Sequence, residues 1–326
     1  MTGYGVVWPS QGVVEIEEVE PGKPGPGQVL IDTAYSQISP GTERTWLLGI
    51  DPMPWGFPFR PGYCLSGVIN AVGDGVEDYA PGDRVVAVAR HASAVVTGTD
   101  QVLHVPDEVD LKTAVFFHLA FVALLGTRRA QIQLGEPVAV LGLGPIGLLA
   151  LRAARLQGAV PVIAMDIEPS RLARAPGCGA DLVVDASDAA AVATMIEQTG
   201  GPAAVIEVTG AHAPMRQALE IVQRMGRVVL LTSRHGESQV DLHGAVHLKG
   251  VTIIGAQTMA RPRHDSRPGL WTWRDDARAF LDLLRYRHWS VDDLVTHVVP
   301  ARQASIVYEL VAAADPSVIG ALLDWS

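Results

Sequence analysis

One hexapeptide constrains this chain more than any other feature: Gly142-Leu143-Gly144-Pro145-Ile146-Gly147, preceded by the apolar run PVAVL and followed by PIGLLALRAARLQG. An apolar strand, a glycine turn and a helix in this order form the first turn of a dinucleotide-binding fold. The first glycine permits the tight turn, the second lets backbone approach a pyrophosphate, and the third lets helix and strand pack closely. The helix N-terminus then offers unpaired N–H groups and a positive dipole end to the phosphates. Asp166 closes the second strand 19 residues after Gly147, near the spacing of about 20 expected of a ribose-binding acid. A carboxylate there accepts bonds from the 2′- and 3′-hydroxyls and repels a 2′-phosphate, which points to NAD rather than NADP. Gly142, Gly144, Pro145, Ile146, Gly147, Asp166 and Ile167 are therefore the expected cofactor residues. Arg171 joins them, either lining the adenine pocket or pairing with a phosphate. Two later strands end in Val208-Thr209-Gly210 and Leu231-Thr232-Ser233. Thr209, Gly210, Thr232 and Ser233 are either cofactor neighbours or caps of the helices that follow.

From Pro137 onward β and helical patterns alternate through PVIAMD, DLVVD, AAVIEVTG, RVVLLT and VTIIGAQ. Six β segments with intervening helices describe a doubly wound parallel sheet. The first hundred residues differ in texture, with short β-branched runs separated by turn signals such as GDG and PGD. AVFFHLAFVALLGTRRAQI then reads as a largely buried helix. After Thr258 a helix (DDARAFLDLLRYR), a strand (LVTHVVP), a second helix and a final strand (VIGALLDW) are expected. The fold class is thus α/β, a Rossmann sheet inserted into a smaller β-rich domain.

Composition narrows the function classes. With 326 residues, 48% of them hydrophobic and 18% charged, the chain can bury large cores and is not disordered. A net charge of −10 argues against a nucleic-acid surface, which needs clustered positive charge. No apolar run reaches the length of a membrane span, and the start MTGYGVVWPS has no signal-peptide pattern, so a cytoplasmic protein is expected. Two cysteines, Cys64 and Cys178, can build neither a disulfide framework nor a four-thiolate zinc site.

PGPGQVLI, RPGYCLSGVINAVGDGVEDYAPGDRV, the Gly142–Gly147 loop, LKGVTIIGAQ and the late LVTHVVP together resemble the medium-chain dehydrogenase/reductase superfamily of zinc-type alcohol dehydrogenases. The resemblance covers nearly the whole chain. It implies a GroES-like catalytic domain at 1–119 and 258–326, with a Rossmann NAD-binding domain at 120–257. Ser36-Gln37-Ile38-Ser39-Pro40-Gly41-Thr42-Glu43 looks like the segment typical of a subgroup related to bacteriochlorophyllide (hydroxyethyl) dehydrogenase.

The departures from that pattern concern the metal. Zinc-dependent members have a Cys where this chain has Ser39 or its neighbours, and Gly-His-Glu where it reads Gly62-Tyr63-Cys64. His118 aligns with the third ligand, and the four cysteines of the structural zinc are missing. A catalytic zinc needs about three protein ligands, so the expectation is a zinc-free enzyme with no metal site. Something else must then move the proton while the nicotinamide exchanges hydride. The resemblance offers Tyr63 or His118 as the acid/base, Thr42 as the partner of the substrate oxygen, and Glu43 in support. The plainer readings are a core histidine, a space-filling tyrosine and a Glu43–Arg44 ion pair. His91 either reaches the mouth of the cleft or lies on the surface.

The expected activity is NAD-dependent hydride transfer on a secondary alcohol or ketone. The Arg- and Trp-rich stretch 258–274 favours a sugar, cyclitol or other polyol, or else is a solvated loop. The alternatives are a zinc-free NADPH-dependent reductase of an activated double bond, against which Asp166 weighs, and a cofactor-binding protein without catalysis. VTIIGAQ looks like the edge through which relatives pair into homodimers.

Overall fold

Glycine and proline punctuation divides the first part of the chain into short strands, as the turn signals predict. The computed structural model describes residues 3–51, 56–232 and 237–326. In order come β1 (Gly3–Val7), β2 (Glu15–Val19), β3 (Gln28–Ile38), α1 (Pro40–Leu47), β4 (Leu65–Val72), β5 (Arg84–Ala87), β6 (Ala94–Gly98) and β7 (Val102–His104). A short α2 (Leu111–Ala114) precedes α3 (Phe117–Ala130), so the one long helix expected over 114–132 is broken before Phe117. Asp110 caps α2 by accepting the Lys112 N–H at 2.7 Å.

The second region alternates strictly: β8 (Val138–Leu141), α4 (Pro145–Leu156), β9 (Val162–Asp166), α5 (Pro169–Leu172), β10 (Leu182–Asp185), α6 (Ala189–Thr199), β11 (Ala204–Glu207), α7 (His212–Ile221), β12 (Arg227–Leu230) and β13 (Thr252–Gly255). The six strands are parallel in the order β10-β9-β8-β11-β12-β13. That is a doubly wound sheet whose order reverses between β8 and β11. Every residue of β8, β9 and β11 is buried, which is why they read as continuous apolar runs rather than alternating ones. Pro145 at the first position of α4 has its φ preset for a helix, and Gly158, at φ +92°, follows its end. α7 stops at Ile221; Val222 is already extended.

The chain ends with α8 (Trp273–Arg285), β14 (Val295–Pro300), α9 (Ala304–Ala312) and β15 (Gly320–Asp324). β14 and β15 join the first region's sheet, in the order β14-β15-β3-β4-β5-β7, with β6 also on β3. Its core packs α9 and α1 against the sheet through Trp8, Ile38, Leu47, Val307, Tyr308 and Leu323. Each such side chain fully buried contributes about 1.5–3 kcal/mol.

Contacts divide the chain into one unit of Met1–His118 with Ala277–Ser326, and a second of Leu119–Asp276. The segment 258–276, expected in the catalytic domain, thus falls in the nucleotide-binding unit. Arg261 lies over the Phe121 ring and beside Asp276, while Arg128 stacks on Trp271 and pairs with Asp276 at 2.7 Å. These contacts tie the stretch to α3. No helix among the described residues is long and apolar enough to cross a membrane.

Candidate active site

In the nucleotide-binding unit the glycine loop has the three properties its sequence requires. Gly142 has φ +99°, and a Cβ there would meet the Thr209 nitrogen at 3.0 Å. The loops after β8 and β11 therefore touch where the strand order reverses. A Cβ on Gly147 would lie 1.9 Å from the Gly142 carbonyl oxygen, so only glycine lets α4 start this close to β8. At Gly144 a Cβ would meet nothing within 4 Å, which leaves that face open to a ligand. Pro145 and Ile146 open α4 beside it.

Asp166 is 7% exposed at the carboxyl end of β9. Its Oδ2 accepts the Leu143 N–H at 2.6 Å, and its Oδ1 accepts those of Ile167 at 2.7 Å and Glu168 at 2.9 Å. Ile167 exposes its side chain and contributes through its backbone. Arg171 brings Nη1 to 4.0 Å from the carboxylate, while its buried Nε has no hydrogen-bond partner among the described residues.

Thr209 donates its hydroxyl to Glu207 and accepts the Ala211 N–H at 3.0 Å, next to the start of α7. That bond reaches the N-cap residue itself, and α7 has no side-chain cap. Gly210 also donates to Glu207. Thr232 has a buried hydroxyl without a partner among the described residues. Ser233 lies outside the described residues. Glu207, at the end of β11 and 1% exposed, was missed by the sequence reading. Burial pushes its pKa up against the Thr209 and Gly210 donors that pull it down. A single carboxylate closing an otherwise apolar strand was the available signal. The open face at Gly144 and the orphaned polar atoms of Arg171 and Thr232 fit a bound dinucleotide.

In the other unit, α1 begins at Pro40, and Glu43 in its first turn accepts the Ser39 N–H at 2.8 Å. A carboxylate is favoured near a helix N-terminus. Tyr63 lies within hydrogen-bond reach of the Ser39 and Thr42 side chains. Its ring is 4.5 Å from that of His118 at the start of α3, tilted by 49°, and Trp46 packs edge-on to it at 6.4 Å. Tyr63, His118, Thr42 and Glu43 therefore do gather in one place. Burial, the Cys64 thiol and the Glu43 carboxylate push the Tyr63 pKa up, outweighing the Ser39 and Thr42 hydrogen bonds. Such a hydroxyl keeps its proton at neutral pH and is present there as a hydrogen-bond donor.

Two expectations are corrected. Glu43 is not paired with Arg44, whose Nε donates to the Ala312 carbonyl at 3.1 Å. Glu43 instead faces His91 at 3.3 Å and accepts the Tyr308 hydroxyl. His91 is neither on the surface nor at a cleft mouth: it is 0% exposed, its Nδ1 2.8 Å from the Ser36 hydroxyl.

The same residues do not fit a catalytic zinc. Among the described residues no group of three or more His, Cys, Asp or Glu side chains is placed to hold a metal ion. Glu43 is already engaged by three donors, and burial and the Glu43 charge hold the Cys64 thiol protonated, whereas a metal needs the thiolate.

Comparison with known proteins bears on both units. The alcohol dehydrogenase GroES-like domain family matches residues 25–115, and the zinc-binding dehydrogenase family matches residues 145–273. The chain is 28% identical to (R,R)-butanediol dehydrogenase of Bacillus subtilis, over 89% of this chain and 90% of that one. Against human sorbitol dehydrogenase the identity is 26%, over 91% and 89% respectively. The crystal structure of 2R,3R-butanediol dehydrogenase from Bacillus subtilis superposes with a TM-score of 0.84 at 25% identity, covering 99% of both chains.

Proposed function

Since the chain belongs to the zinc-type alcohol dehydrogenase-like medium-chain dehydrogenase/reductase superfamily, and so is an oxidoreductase of the alcohol dehydrogenase class, we propose that it interconverts a secondary alcohol and its ketone with NAD and without zinc. The observation that carries this reading is the Tyr63 hydroxyl beside Ser39, Thr42 and His118, where a three-ligand metal group would otherwise stand.

Gly142, Gly144, Pro145, Ile146 and Gly147 hold the pyrophosphate, Asp166 the adenosine ribose, and Arg171, Gly210 and Thr232 flank them. The nicotinamide, when bound, supplies or takes the hydride. Tyr63 donates its proton to the oxygen of a ketone as it becomes an alkoxide, and Thr42 hydrogen-bonds that oxygen. His118, packed on the tyrosine ring, limits its rotation. In the oxidative direction Tyr63 is a poor base, because its raised pKa leaves little phenolate at neutral pH.

The substrate class is a sugar, cyclitol or other polyol. It is supported by the names of the relatives, which include an erythritol/L-threitol dehydrogenase of Mycolicibacterium smegmatis at 28% identity. The resemblance of Ser36–Glu43 to the bacteriochlorophyllide dehydrogenase subgroup concerns descent, since nothing in this loop calls for a chlorin. The same reading makes the protein a cytoplasmic homodimer joined through β13, an edge strand of the parallel sheet.

The test is elemental analysis of enzyme purified without added zinc or chelator, together with turnover on a polyol and ketone panel with NAD(H) and NADP(H). The expectation is below about 0.1 zinc per chain and activity indifferent to chelator. Close to one zinc per chain, lost together with activity on chelation, overturns the metal-free reading. Turnover with NADP(H) alone overturns the cofactor assignment.

A further inference from the structure

Hydrogen-bond counting fixes the protons of the buried network behind Tyr63. The Trp325 indole N–H, which can only donate, gives its hydrogen to Ser36 Oγ at 2.8 Å. Ser36 Oγ is 2.8 Å from His91 Nδ1, and His91 Nε2 is 3.3 Å from Glu43 Oε2. Glu43 Oε2 also accepts the Tyr308 hydroxyl, while Oε1 accepts the Ser39 N–H at 2.8 Å. Ser36, His91 and Glu43 are all 0% exposed, so water does not complete any of these bonds.

Only one arrangement satisfies every member. A proton on Nδ1 alone would turn the Nε2 lone pair towards a carboxylate oxygen. Protons on both nitrogens would leave the Ser36 hydroxyl hydrogen with no acceptor in this chain of contacts. With the proton on Nε2, Trp325 donates to Ser36, Ser36 to His91 Nδ1, and His91 Nε2 to Glu43. The imidazole is also braced from the other side. The His91 backbone N–H donates to the Pro61 carbonyl at 2.8 Å, and a Cβ on Gly62, next to Tyr63, would lie 2.7 Å from the His91 ring.

We propose that His91 is a positioning residue: a neutral imidazole protonated on Nε2 that, with Tyr308, clamps Glu43 onto the Ser39 amide and so sets Ser39 and Thr42 against the Tyr63 hydroxyl. The inference rests on the reading of Tyr63 as the proton donor. It assigns the C-terminal strand a part in the reaction, since the Trp325 indole orients the serine that orients the imidazole.

Two measurements on the full chain test it. In protein labelled with 15N-histidine, NMR at about pH 7.5 reads the His91 tautomer without any turnover, the signal being assigned by its loss in His91→Gln. A hydrogen on Nε2 and none on Nδ1 is expected; an Nδ1–H tautomer or an imidazolium overturns the proposal. The kinetic test compares His91→Gln, which keeps an N–H donor near the Nε2 position, with His91→Phe, which does not. His91→Phe is expected to lower kcat for ketone reduction at least about tenfold while the Kd for NADH stays within about twofold, and His91→Gln to regain most of the loss. Equal losses in both variants, or an unchanged kcat in His91→Phe, overturn it. If His91→Phe does not fold, Trp325→Phe breaks the far end of the chain more gently, and an unchanged kcat there overturns it equally. Tyr63→Phe separates the two readings. Full activity in Tyr63→Phe sinks the proton-donor assignment and leaves the tautomer result standing. A crippled Tyr63→Phe beside a fully active His91→Phe sinks only the present proposal.

Discussion

The Asp166 carboxylate accepts the Leu143 backbone N–H across 2.6 Å, tying the end of β9 to the glycine loop after β8. With Ile167 and Glu168 it accepts three N–H groups in all, which leaves one carboxylate lone-pair direction for a ribose hydroxyl. Asp166→Ala removes both the loop anchor and the ribose acceptor. Hydrogen bonds to a charged group contribute about 1.5–3 kcal/mol, which corresponds to about 10–150-fold in affinity. KM for NAD is expected to rise by that range, while KM for NADP rises much less or falls, because Arg171 then meets a 2′-phosphate unopposed. Initial rates with the two cofactors check this, and an unchanged NAD/NADP ratio contradicts it.

Two glycines of the same loop should fail differently. Gly147→Ala drives a methyl group to 1.9 Å from a backbone carbonyl oxygen, and neither α4 nor the loop can yield without losing its packing. A lowered Tm, or no soluble protein, is expected. Gly144→Ala meets nothing of the protein within 4 Å, so Tm should hold within a degree or two while NADH affinity falls at least about tenfold. Thermal melts and fluorescence titration of NADH distinguish them. Normal cofactor binding by Gly144→Ala would mean that the pyrophosphate does not approach this face.

Tyr63→Phe keeps the ring packing on His118 and Trp46 and removes only the hydroxyl. General acid catalysis contributes about 10²–10⁴-fold, so kcat for ketone reduction should fall by that range with the Kd for NADH unchanged. His118→Ala, which frees the ring without removing the proton donor, is expected to cost less than Tyr63→Phe. The reverse order in steady-state kinetics would make His118 the acid.

What could be read in the sequence was local. The glycine loop, Asp166 and the alternation of strands and helices involve neighbours within one or two elements, where spacing and chemistry suffice. The surroundings of Glu43 could not be read, because its partners are 48 and 265 residues away, and Trp325 is 289 residues from Ser36. They meet only once β15 pairs with β3 in a register that sets Leu323 opposite Ser36, and no pattern along the chain encodes that register. The packing of 258–276 was equally hidden: Arg261 is buried against Phe121 and Asp276, 140 and 15 residues away.

The buried thiol and phenols around Glu43 should also make the fold sensitive to alkali. Burial raises the pKa of Cys64 above its ordinary 9.0, and those of Tyr63 and Tyr308 above 10.0. Between these ordinary values and the folded-state ones, the native protein binds more protons than the unfolded chain. Stability therefore falls as pH rises through that window, by up to about 1.4 kcal/mol per pH unit for each such group. Tyr35, raised likewise, adds to the slope, while Lys249, lowered by burial, opposes it with a single proton. The contribution is complete below about pH 9, where the thiol is protonated in both states, and is lost progressively above it. Chemical denaturation between about pH 8 and 11 should show a plateau and then a decline. In Cys64→Ala the onset of that decline should move from about pH 9 to about pH 10, where the tyrosines take over. An onset unmoved by the substitution would show that the Cys64 thiol titrates alike in the folded and unfolded chain.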